Sequence, residues 1–205
     1  GSVTEEQHEF LERISRSGRY LLRLINDILN FAKLEAGQVE LRLEDVHIDA
    51  TLRSIEALVA PQIRAKNLIY RYEPCDASVT AVADQEKVLQ VVLNLVGNAI
   101  KFTEPGGSVR VWGDARDHVV RISVADTGCG IHAEKLSRIF DPFVQVDRAL
   151  TTPGSQHGVG LGLAISRDLV KQLGGELSVD STLGVGSTFR FTLPRSAPPA
   201  GSEGP

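Results

Sequence analysis

Four polar residues recur among the apolar residues of the segment "DQEKVLQVVLNLVGNAIKFT" and could do chemistry together. At steps of four, four and three residues, they are Gln90, Asn94, Asn98 and Lys101. On a helix this spacing places all four on one face. That face either meets solvent at a groove or lines a ligand cavity. In a cavity the lysine would meet phosphate and an amide oxygen would ligate Mg²⁺, a hard cation that prefers oxygen. The spacing alone leaves both interpretations open.

The segment "VADTGCG" carries a second candidate group, because Asp126 ends a predicted strand and is followed by Gly128 and Gly130. A turn explains Asp and Gly at such a place without any function. A carboxylate at a strand end could also accept a hydrogen bond from an exocyclic amino group, while the glycines let a flat ring approach. Asp-Thr-Gly further matches an aspartic protease half-site. The triplet occurs once, however, and the helix-rich remainder fits that class poorly.

Three glycines at alternate positions, Gly158, Gly160 and Gly162, precede a helix-like sequence in "HGVGLGLAISRDLVKQLGG". The dinucleotide fingerprint is G-x-G-x-x-G between a strand and a helix, whereas "ALTTPGSQH" before these glycines cannot be a buried strand. The phosphate-loop pattern G-x-x-x-x-G-K-[ST] does not occur in the chain either. The segment therefore predicts a flexible loop that runs into a helix N-terminus, where free N–H groups and the helix dipole favour phosphate.

A long helix is predicted over residues 4–36 and ends at Gly37, since glycine is favoured just after a helix. Its apolar residues follow alternating steps of three and four, and a second stripe broadens the apolar face. We therefore predict a helix bundle completed by another chain or by sequence outside this one; the alternative is packing against the chain's own globular part. The two stripes consist of Leu11, Ile14, Gly18, Leu21, Leu22, Ile25, Ile28, Leu29 and Ala32.

Shorter elements follow Gly37 and mix helices with strands without internal repeats. Strands are predicted over "VELRLE", "NLIYRYE", the hairpin "SVRVWGDARDHVVRISVADTG", "ELSVDS" and "STFRFTLP". Helices are predicted over 49–66, bent or ended by Pro61, from the N-cap Asp84 to Phe102, near 133–139 and after the loop 147–157. This order predicts an α/β (α+β) two-layer sandwich, in which a mixed sheet carries helices on one face.

Composition describes an ordinary soluble protein, with 42% hydrophobic and 23% charged residues among 205. The net charge of −4 gives no electrostatic basis for binding nucleic acid. Cys75 and Cys129 are too few for a disulfide framework and lack metal-ligand spacing. No apolar run could span a bilayer, so we expect a cytoplasmic chain, whose full-length protein could be anchored in a membrane upstream.

Taken together and in this order, the motifs resemble the ATP-binding catalytic domain of sensor histidine kinases, within the wider family of DNA gyrase, Hsp90 and MutL ATPases. "NLVGNAIKFT" is similar to the N box, "DTGCG" to the G1 box, "IFDPF" to the F box, "GVGLGL" to the G2 box and "GVGSTF" to the final glycine box. The resemblance implies a Bergerat-type ATP-binding fold over residues 38–194. The helix ending "LINDILNFAKLEAG" resembles the second helix of the dimerisation and histidine-phosphotransfer hairpin, over residues 1–37, and residues 195–205 are expected to be a disordered tail.

The resemblance also implies roles for single residues. Asp126 would bind the adenine amino group, and Thr188 would support that contact through water. Asn98 would hold Mg²⁺ and Lys101 would reach the phosphates. The remaining nucleotide-binding positions comprise two glycines of the base pocket, two phenylalanines that anchor an ATP lid over residues 144–157, and residues of the lid and the G2 box: Gly128, Gly130, Phe140, Phe143, Arg148, His157, Gly158, Gly160, Leu161 and Gly162.

Three positions depart from the family pattern. Where the ATP-hydrolysing relatives carry a Glu that activates water, this chain has Asn94, which cannot act as a general base at neutral pH. Hydrolysis should therefore be slow, which preserves the phosphoryl group for a protein nucleophile; Asn94 and Lys101 are the implied catalytic positions. In the G2 box, His157 and Val159 replace a glycine and a threonine of "GGTGLGL", so ATP affinity could be altered.

The phosphoacceptor pattern, a His followed by an acidic residue and shortly after by a Pro, is not found in the chain. His8-Glu9 begins to match but has no proline. We therefore predict a kinase core that binds ATP without phosphorylating itself. It would transfer the γ-phosphoryl group to a His outside this chain for relay to an Asp of a response-regulator receiver domain, and it would form a homodimer through the N-terminal helix. The alternative is an ATP-dependent interaction module without chemistry.

Overall fold

The N-terminal helix, α1 (Glu5–Glu35), forms as predicted. In this computed structural model, which describes residues 4–144 and 160–196, it begins at a capping box between Thr4 and Gln7. It ends where Gly37 adopts a φ of +64°, a conformation that costs glycine little. Eight apolar side chains of α1 are 46–67% exposed, and the described globular part does not cover them. We call this set the seam of α1: Phe10, Leu11, Ile14, Leu21, Leu22, Ile25, Ile28 and Leu29. Leu34, by contrast, is buried in the core.

Eleven further elements follow in the described residues. The helices are α2 (Ile48–Ala65), α3 (Gln85–Phe102), α4 (Ala133–Leu136) and α5 (Gly162–Gln172). The strands are β1 (Glu44–His47), β2 (Ile69–Glu73), β3 (Thr80–Ala83), β4 (Ser108–Arg116), β5 (Val119–Asp126), β6 (Leu177–Thr182) and β7 (Gly186–Pro194). None of the helices in these residues is long and apolar enough to cross a membrane.

Five strands form a mixed sheet in the order β2-β4-β5-β7-β6. The β2–β4 pair is parallel and the other three pairs are antiparallel. Alternate residues of β5, namely Val120, Ile122 and Val124, are almost completely buried on the face that α2, α3 and α5 cover. The opposite face carries charged residues, such as Arg121, which donates two hydrogen bonds to Asp114. The mixed sheet with helices on one face confirms the predicted fold class.

The predicted first strand, "VELRLE", is wrong except for its last residue. Residues 39–43 have no strand partner, although Val39 and Leu41 pack against the core from an unpaired segment. Alternating burial needs only one covered face and does not require a hydrogen-bonded neighbour. The strand instead begins at Glu44 and forms β1. It pairs antiparallel with β3, a strand that was not predicted. Four residues are too few for β3 to show a clear period.

Pro61 does not end α2, because it lies on the exposed side of the helix. A proline removes the hydrogen bond to the carbonyl four residues earlier, here that of the exposed Ala57. Water can hydrate that carbonyl on the exposed side. The position of the proline relative to the core therefore decided the length of the helix.

Asp84 ties the segment before β1 to α3, and we expect its replacement by alanine to destabilise the fold by about 2 kcal/mol at pH 7. Asp84 is 6% exposed, and its carboxylate accepts hydrogen bonds from Lys87 N at 3.1 Å and Arg42 N at 3.0 Å. Burial alone would raise the pKa of Asp84, but these N–H groups outweigh burial and lower the pKa from its ordinary value. The stabilisation is therefore present above the unfolded-state pKa and is lost as pH falls through the folded-state pKa.

Urea unfolding at pH 7 and near pH 3 measures this effect. The difference between wild type and Asp84→Ala should narrow at the lower pH. The control is Glu86→Ala, which removes an exposed carboxylate from the same helical turn and should change stability little. An equal loss of stability at both pH values would contradict the linkage.

Candidate functional site

At one end of the sheet, a row of polar side chains lies on the face that the helices cover. Asp126 lies opposite Ser187 in the β5–β7 register, and Ser187 lies opposite Ser181 in the β6–β7 register. Two residues further into the sheet, the corresponding row is apolar and consists of Val124, Phe189 and Val179. The three polar side chains therefore share one face at the point where the apolar core stops.

Only one oxygen of the Asp126 carboxylate is occupied by the described residues. Its Oδ1 accepts from Gly128 N at 2.8 Å and from Ser187 N at 3.3 Å, whereas Oδ2 accepts no hydrogen bond from them. Burial raises the pKa of Asp126, and the two N–H groups offset part of that shift. The arrangement orients a partly buried carboxylate so that one oxygen remains for a hydrogen-bond donor.

Thr188 does not lie where it was predicted. It pairs with Ala125 in the register, so strand alternation places it on the sheet face opposite to Asp126. Ser187, one residue earlier, is the neighbour of Asp126 on the same face and was missed. The sequence contains the signal, a hydroxyl residue in the same "GVGSTF" box, but a shift of one residue on a strand reverses the face.

The glycines after Asp126 are required by the protein's own backbone. A Cβ atom on Gly128 would lie 2.4 Å from the Phe102 carbonyl oxygen, at the end of α3. At Gly130, where φ is +67°, it would lie 2.1 Å from the Thr182 carbonyl oxygen. Both contacts are too short for any side chain. The segment after β5 is therefore held between α3 and the β6–β7 connection, next to Asp126.

The four polar residues on one face of α3 have different neighbours. Asn98 and Lys101 are half-buried and make no hydrogen bond or ion pair with the described residues through their side chains. Burial lowers the pKa of the Lys101 ammonium, whose Nζ lies 4.8 Å from the centre of the Phe102 ring. Gln90 instead lines a separate cavity beside α1. Among the described residues, nothing occupies the polar groups of Asn98 and Lys101.

Asn94 is already engaged within the protein. Its Nδ2 donates to the buried Ser166 Oγ of α5 at 2.8 Å. Its Oδ1 lies 2.4 Å from the position that a Cβ atom would take on Gly162, the first residue of α5. Gly162 is thus needed for close packing of α3 and α5, a reason that the sequence pattern did not reveal.

Lys66 is a further residue that sequence reasoning missed. Its Nζ donates to the carbonyl oxygens of Ile100 at 2.8 Å and Lys101 at 2.6 Å, in the last turn of α3. A cation at a helix C-terminus satisfies free carbonyls and favours the helix dipole. Lys66 therefore stabilises the turn that carries Lys101, and nothing in its sequence neighbourhood indicates that contact.

Two residues that flank the predicted lid, Phe143 and Gly160, lie next to each other. Phe143 N donates to the Gly160 carbonyl oxygen at 3.0 Å, and both residues have positive φ, of +64° and +81°. Phe143 packs edge-on against Phe31 of α1, with ring centres 6.2 Å apart. Leu161, predicted to bind the nucleotide, buries its side chain in the core. Its backbone alone remains for such a contact.

The other predicted residues have different outcomes. Phe140 packs partly buried against the core, and the guanidinium of Arg167 lies 6.0 Å from its ring centre. Arg148, His157, Gly158 and Val159 lie outside the described residues. The structure thus brings Asp126 and Gly128 to the end of α3, Gly130 to the β6–β7 connection, and Asn94 to the start of α5.

Comparisons with known proteins identify the family of the chain. The family described as "Histidine kinase-, DNA gyrase B-, and HSP90-like ATPase" matches residues 83–197, and the family described as "His Kinase A (phospho-acceptor) domain" matches residues 2–37. The chain is 39% identical over 202 residues to hybrid signal transduction histidine kinase B of Dictyostelium discoideum, covering 96% of this chain and 10% of that protein. It is 37% identical to the autoinducer 2 sensor kinase/phosphatase LuxQ of Vibrio harveyi, covering 93% of this chain and 23% of that protein.

Solved structures show the same fold. The structure of full-length ShkA in complex with AMPPNP matches with a TM-score of 0.81 and 37% identity, over 96% of this chain and 40% of that one. The nucleotide-free catalytic domain of histidine kinase ThkA matches with a TM-score of 0.65 and 27% identity, over 75% of this chain and 96% of that one. The chain spans only 10–36% of the length of the curated relatives that it matches. Its sequence and its fold place it, nevertheless, in the family of histidine kinase-, DNA gyrase B- and HSP90-like ATPases.

Proposed function

We propose that this chain is the ATP-binding kinase core of a two-component sensor histidine kinase. It transfers the γ-phosphoryl group of ATP to a His on a dimerisation hairpin, for relay to an Asp of a response-regulator receiver domain. The observation that carries the proposal is the Asp126 carboxylate, fixed through Oδ1 with Oδ2 left for the amino group of adenine. The kinase names of its relatives, and the AMPPNP bound to ShkA, support the same function.

The residues divide into those that bind the base and those that handle the triphosphate. Gly128 and Gly130 hold the segment beside Asp126. Lys101 contacts the phosphates, and Asn98 offers an amide oxygen without a partner in the described residues, which fits a ligand of Mg²⁺. Bound Mg²⁺ would neutralise charge on the phosphates. Phe140 and Phe143 anchor the lid over residues 144–157, which contains Arg148 and His157. The G2 box that follows supplies Gly158, Gly160, Leu161 and Gly162.

Asn94 supports transfer to a protein over transfer to water. A neutral amide cannot take a proton from water at neutral pH, and Asn94 already donates to Ser166. Slow hydrolysis leaves the phosphoryl group for a histidine acceptor. Positioning and charge neutralisation would supply most of the catalysis.

Homodimerisation through α1 forms part of the proposal. The exposed seam of α1 repeats apolar side chains at bundle spacing, and a helix with such a stripe buries it against partner helices. We place the boundary of this helical segment after residue 37, with the catalytic domain over 38–194. The tail predicted over 195–205 is wrong for its first two residues, because Arg195 forms an antiparallel bridge with Ala81 and the buried Ser196 donates its N–H to Thr80 O at 3.0 Å. Two chains and two preceding helices would complete the bundle.

An ATP-dependent interaction module is the second candidate. The contact of Phe143 with Phe31 joins one flank of the lid to α1, so a nucleotide that orders the lid could change how the catalytic domain packs on the helix. His8 does not offer an acceptor pattern; it lies exposed on α1 with Nε2 at 3.4 Å from Glu12 Oε1. The two functions differ in whether phosphate leaves ATP.

Phosphoryl transfer in trans tests the proposal. The chain is incubated with γ-labelled ATP and a separately made helix that carries the His-acidic-Pro pattern. We expect acid-labile label on that helix and none on a helix with His→Gln. Measured ATP binding without labelling would favour the interaction module. Stoichiometric label on the chain itself, lost on His8→Gln, would contradict the prediction that it does not phosphorylate itself.

A further inference from the structure

Lys66 joins the end of α2 to the end of α3. It directly follows the last residue of α2 and is half-buried. Its Nζ donates to the carbonyl oxygens of Ile100 at 2.8 Å and Lys101 at 2.6 Å. Burial lowers the pKa of the Lys66 ammonium, and the Glu104 carboxylate offsets part of that shift. The proposed ATP site does not include this cation.

The neighbouring carbonyls in the last turn of α3 accept hydrogen bonds from uncharged donors. Ala99 O accepts from Thr103 N at 3.0 Å and from Thr103 Oγ at 2.7 Å. Phe102 O accepts from Cys129 N at 3.3 Å. The C-terminal end of a helix carries roughly half a negative elementary charge, and neutral donors supply no opposite charge. Lys66 brings a positive charge to this end of the helix.

The proposed phosphate and Mg²⁺ ligands lie at the same end of α3. Lys101 directly precedes the last residue of the helix, Phe102, and Asn98 lies one turn before it. At about 1.5 Å per residue, Asn98 is about 6 Å along the axis from the helix end. The helix dipole acts over the last turn and disfavours an anion there. A triphosphate bound beside Lys101 therefore needs a charge that offsets the dipole.

We infer that Lys66 is a positioning residue for the phosphates of the nucleotide: its ammonium offsets the carbonyl end of α3, so that an anion can bind beside Lys101. The inference rests on the proposed binding of ATP. Lys66 acts through the backbone carbonyls of Ile100 and Lys101 and does not need to contact the nucleotide. The Lys101 side chain is then left to contact the phosphates, while the Lys66 charge compensates the helix.

The charge of the ligand separates this role from simple structural support. A displaced last turn would also disturb Gly128, which packs against Phe102 O, and would weaken every ligand of the base pocket alike. An electrostatic role instead weakens a ligand according to its negative charge, and salt screens the effect. The comparison is between ATP, in excess chelator, and adenosine, which has no phosphate. The dissociation constant of ATP is also measured from low to high ionic strength.

Lys66→Met should weaken ATP binding by about five- to tenfold at low ionic strength and should change adenosine binding by less than about twofold. The loss of ATP affinity should shrink as salt is added, because mobile ions screen the helix end. Lys66→Gln, which keeps two N–H donors without the charge, should show the same losses. The control Lys171→Met removes an exposed lysine from the last turn of α5 and should leave both affinities unchanged.

Equal losses for adenosine and ATP in Lys66→Met, an ATP loss that does not depend on salt, or an unchanged ATP affinity would overturn the inference while the proposed function stands. If the unchanged chain does not bind ATP, the proposed function fails and the inference fails with it. If Lys66→Met does not fold, the same measurements on Lys66→Gln decide alone.

Discussion

Asp126→Asn should weaken ATP binding by about 100-fold or more without unfolding the chain. The amide oxygen can still accept from Gly128 N and Ser187 N, which turns the NH₂ group toward the position of Oδ2. A donor would then face the donor of the adenine amino group. The substitution is nearly isosteric, so the loss would arise from hydrogen-bond polarity. Calorimetric titration with ATP measures it.

The stability of Asp126→Asn should be equal to or greater than that of the wild type at pH 7. Burial raises the pKa of Asp126 in the folded chain. A raised pKa means that the stabilising contribution is fully present below the unfolded-state pKa and is lost as pH rises through the folded-state pKa. At pH 7 the wild type therefore carries the cost of a partly buried charge, which the amide removes. Thermal unfolding at pH 7 and below pH 4 should show this advantage disappearing at the lower pH.

Asp180→Asn is the matched control, since Asp180 lies on β6 with its side chain 79% exposed and paired with Arg190. It should leave ATP affinity unchanged. ATP affinity retained in Asp126→Asn would contradict the assignment of the base pocket. A large loss of stability together with the loss of binding would show that Asp126 is structural.

Asn98→Ala should slow phosphoryl transfer to the separate helix by about 100-fold. The half-buried amide makes no hydrogen bond with the described residues, so its removal should leave the melting temperature nearly unchanged. The nucleotide would lose an oxygen ligand for Mg²⁺ near its phosphates. ATP affinity measured in excess chelator should therefore match the wild type, whereas affinity with Mg²⁺ should fall.

Gln90→Ala is the control within the same helix face. Gln90 lines the separate cavity beside α1, together with residues such as Asn30 and Leu169. Its replacement should change neither transfer nor the Mg²⁺ dependence. Equal losses of affinity in Asn98→Ala with and without Mg²⁺ would contradict the metal-binding role.

Local sequence predicted most of the elements that carry the site. The N-cap Asp84 and the apolar faces of α3 marked that helix to its last residue, and the hairpin of β4 and β5 was visible as two alternating segments. The short pair β1–β3 was not, because four residues hold too little of a period. Whether Pro61 faces the core or solvent was decided only by the structure, in which it lies on the exposed side of α2.

Sequence alone also determined which kind of protein this is. The order of an amide-rich helix, an Asp-x-Gly-x-Gly turn and glycine boxes before and after a final helix resembled a kinase catalytic domain, because each motif keeps its residue types at fixed local spacing. Spacing along one element is a property of the sequence: a helix or a strand converts it directly into a shared face. The fold class follows from such local patterns, and the family from the resemblance of the motifs taken together in their order.

Only the tertiary structure decided which polar groups remain available. Asn94 and Asn98 are one turn apart on the same helix, yet Asn94 donates to Ser166 of α5 whereas Asn98 keeps its amide free of hydrogen bonds within the described residues. Ser187, and not the predicted Thr188, lies beside Asp126, and this likewise depends on the register between strands. Hydrogen-bond capacity is used up by neighbours that are distant in sequence, and a strand presents alternate residues to opposite faces. Residue types therefore predicted the chemistry, and packing between elements determined which residues can perform it.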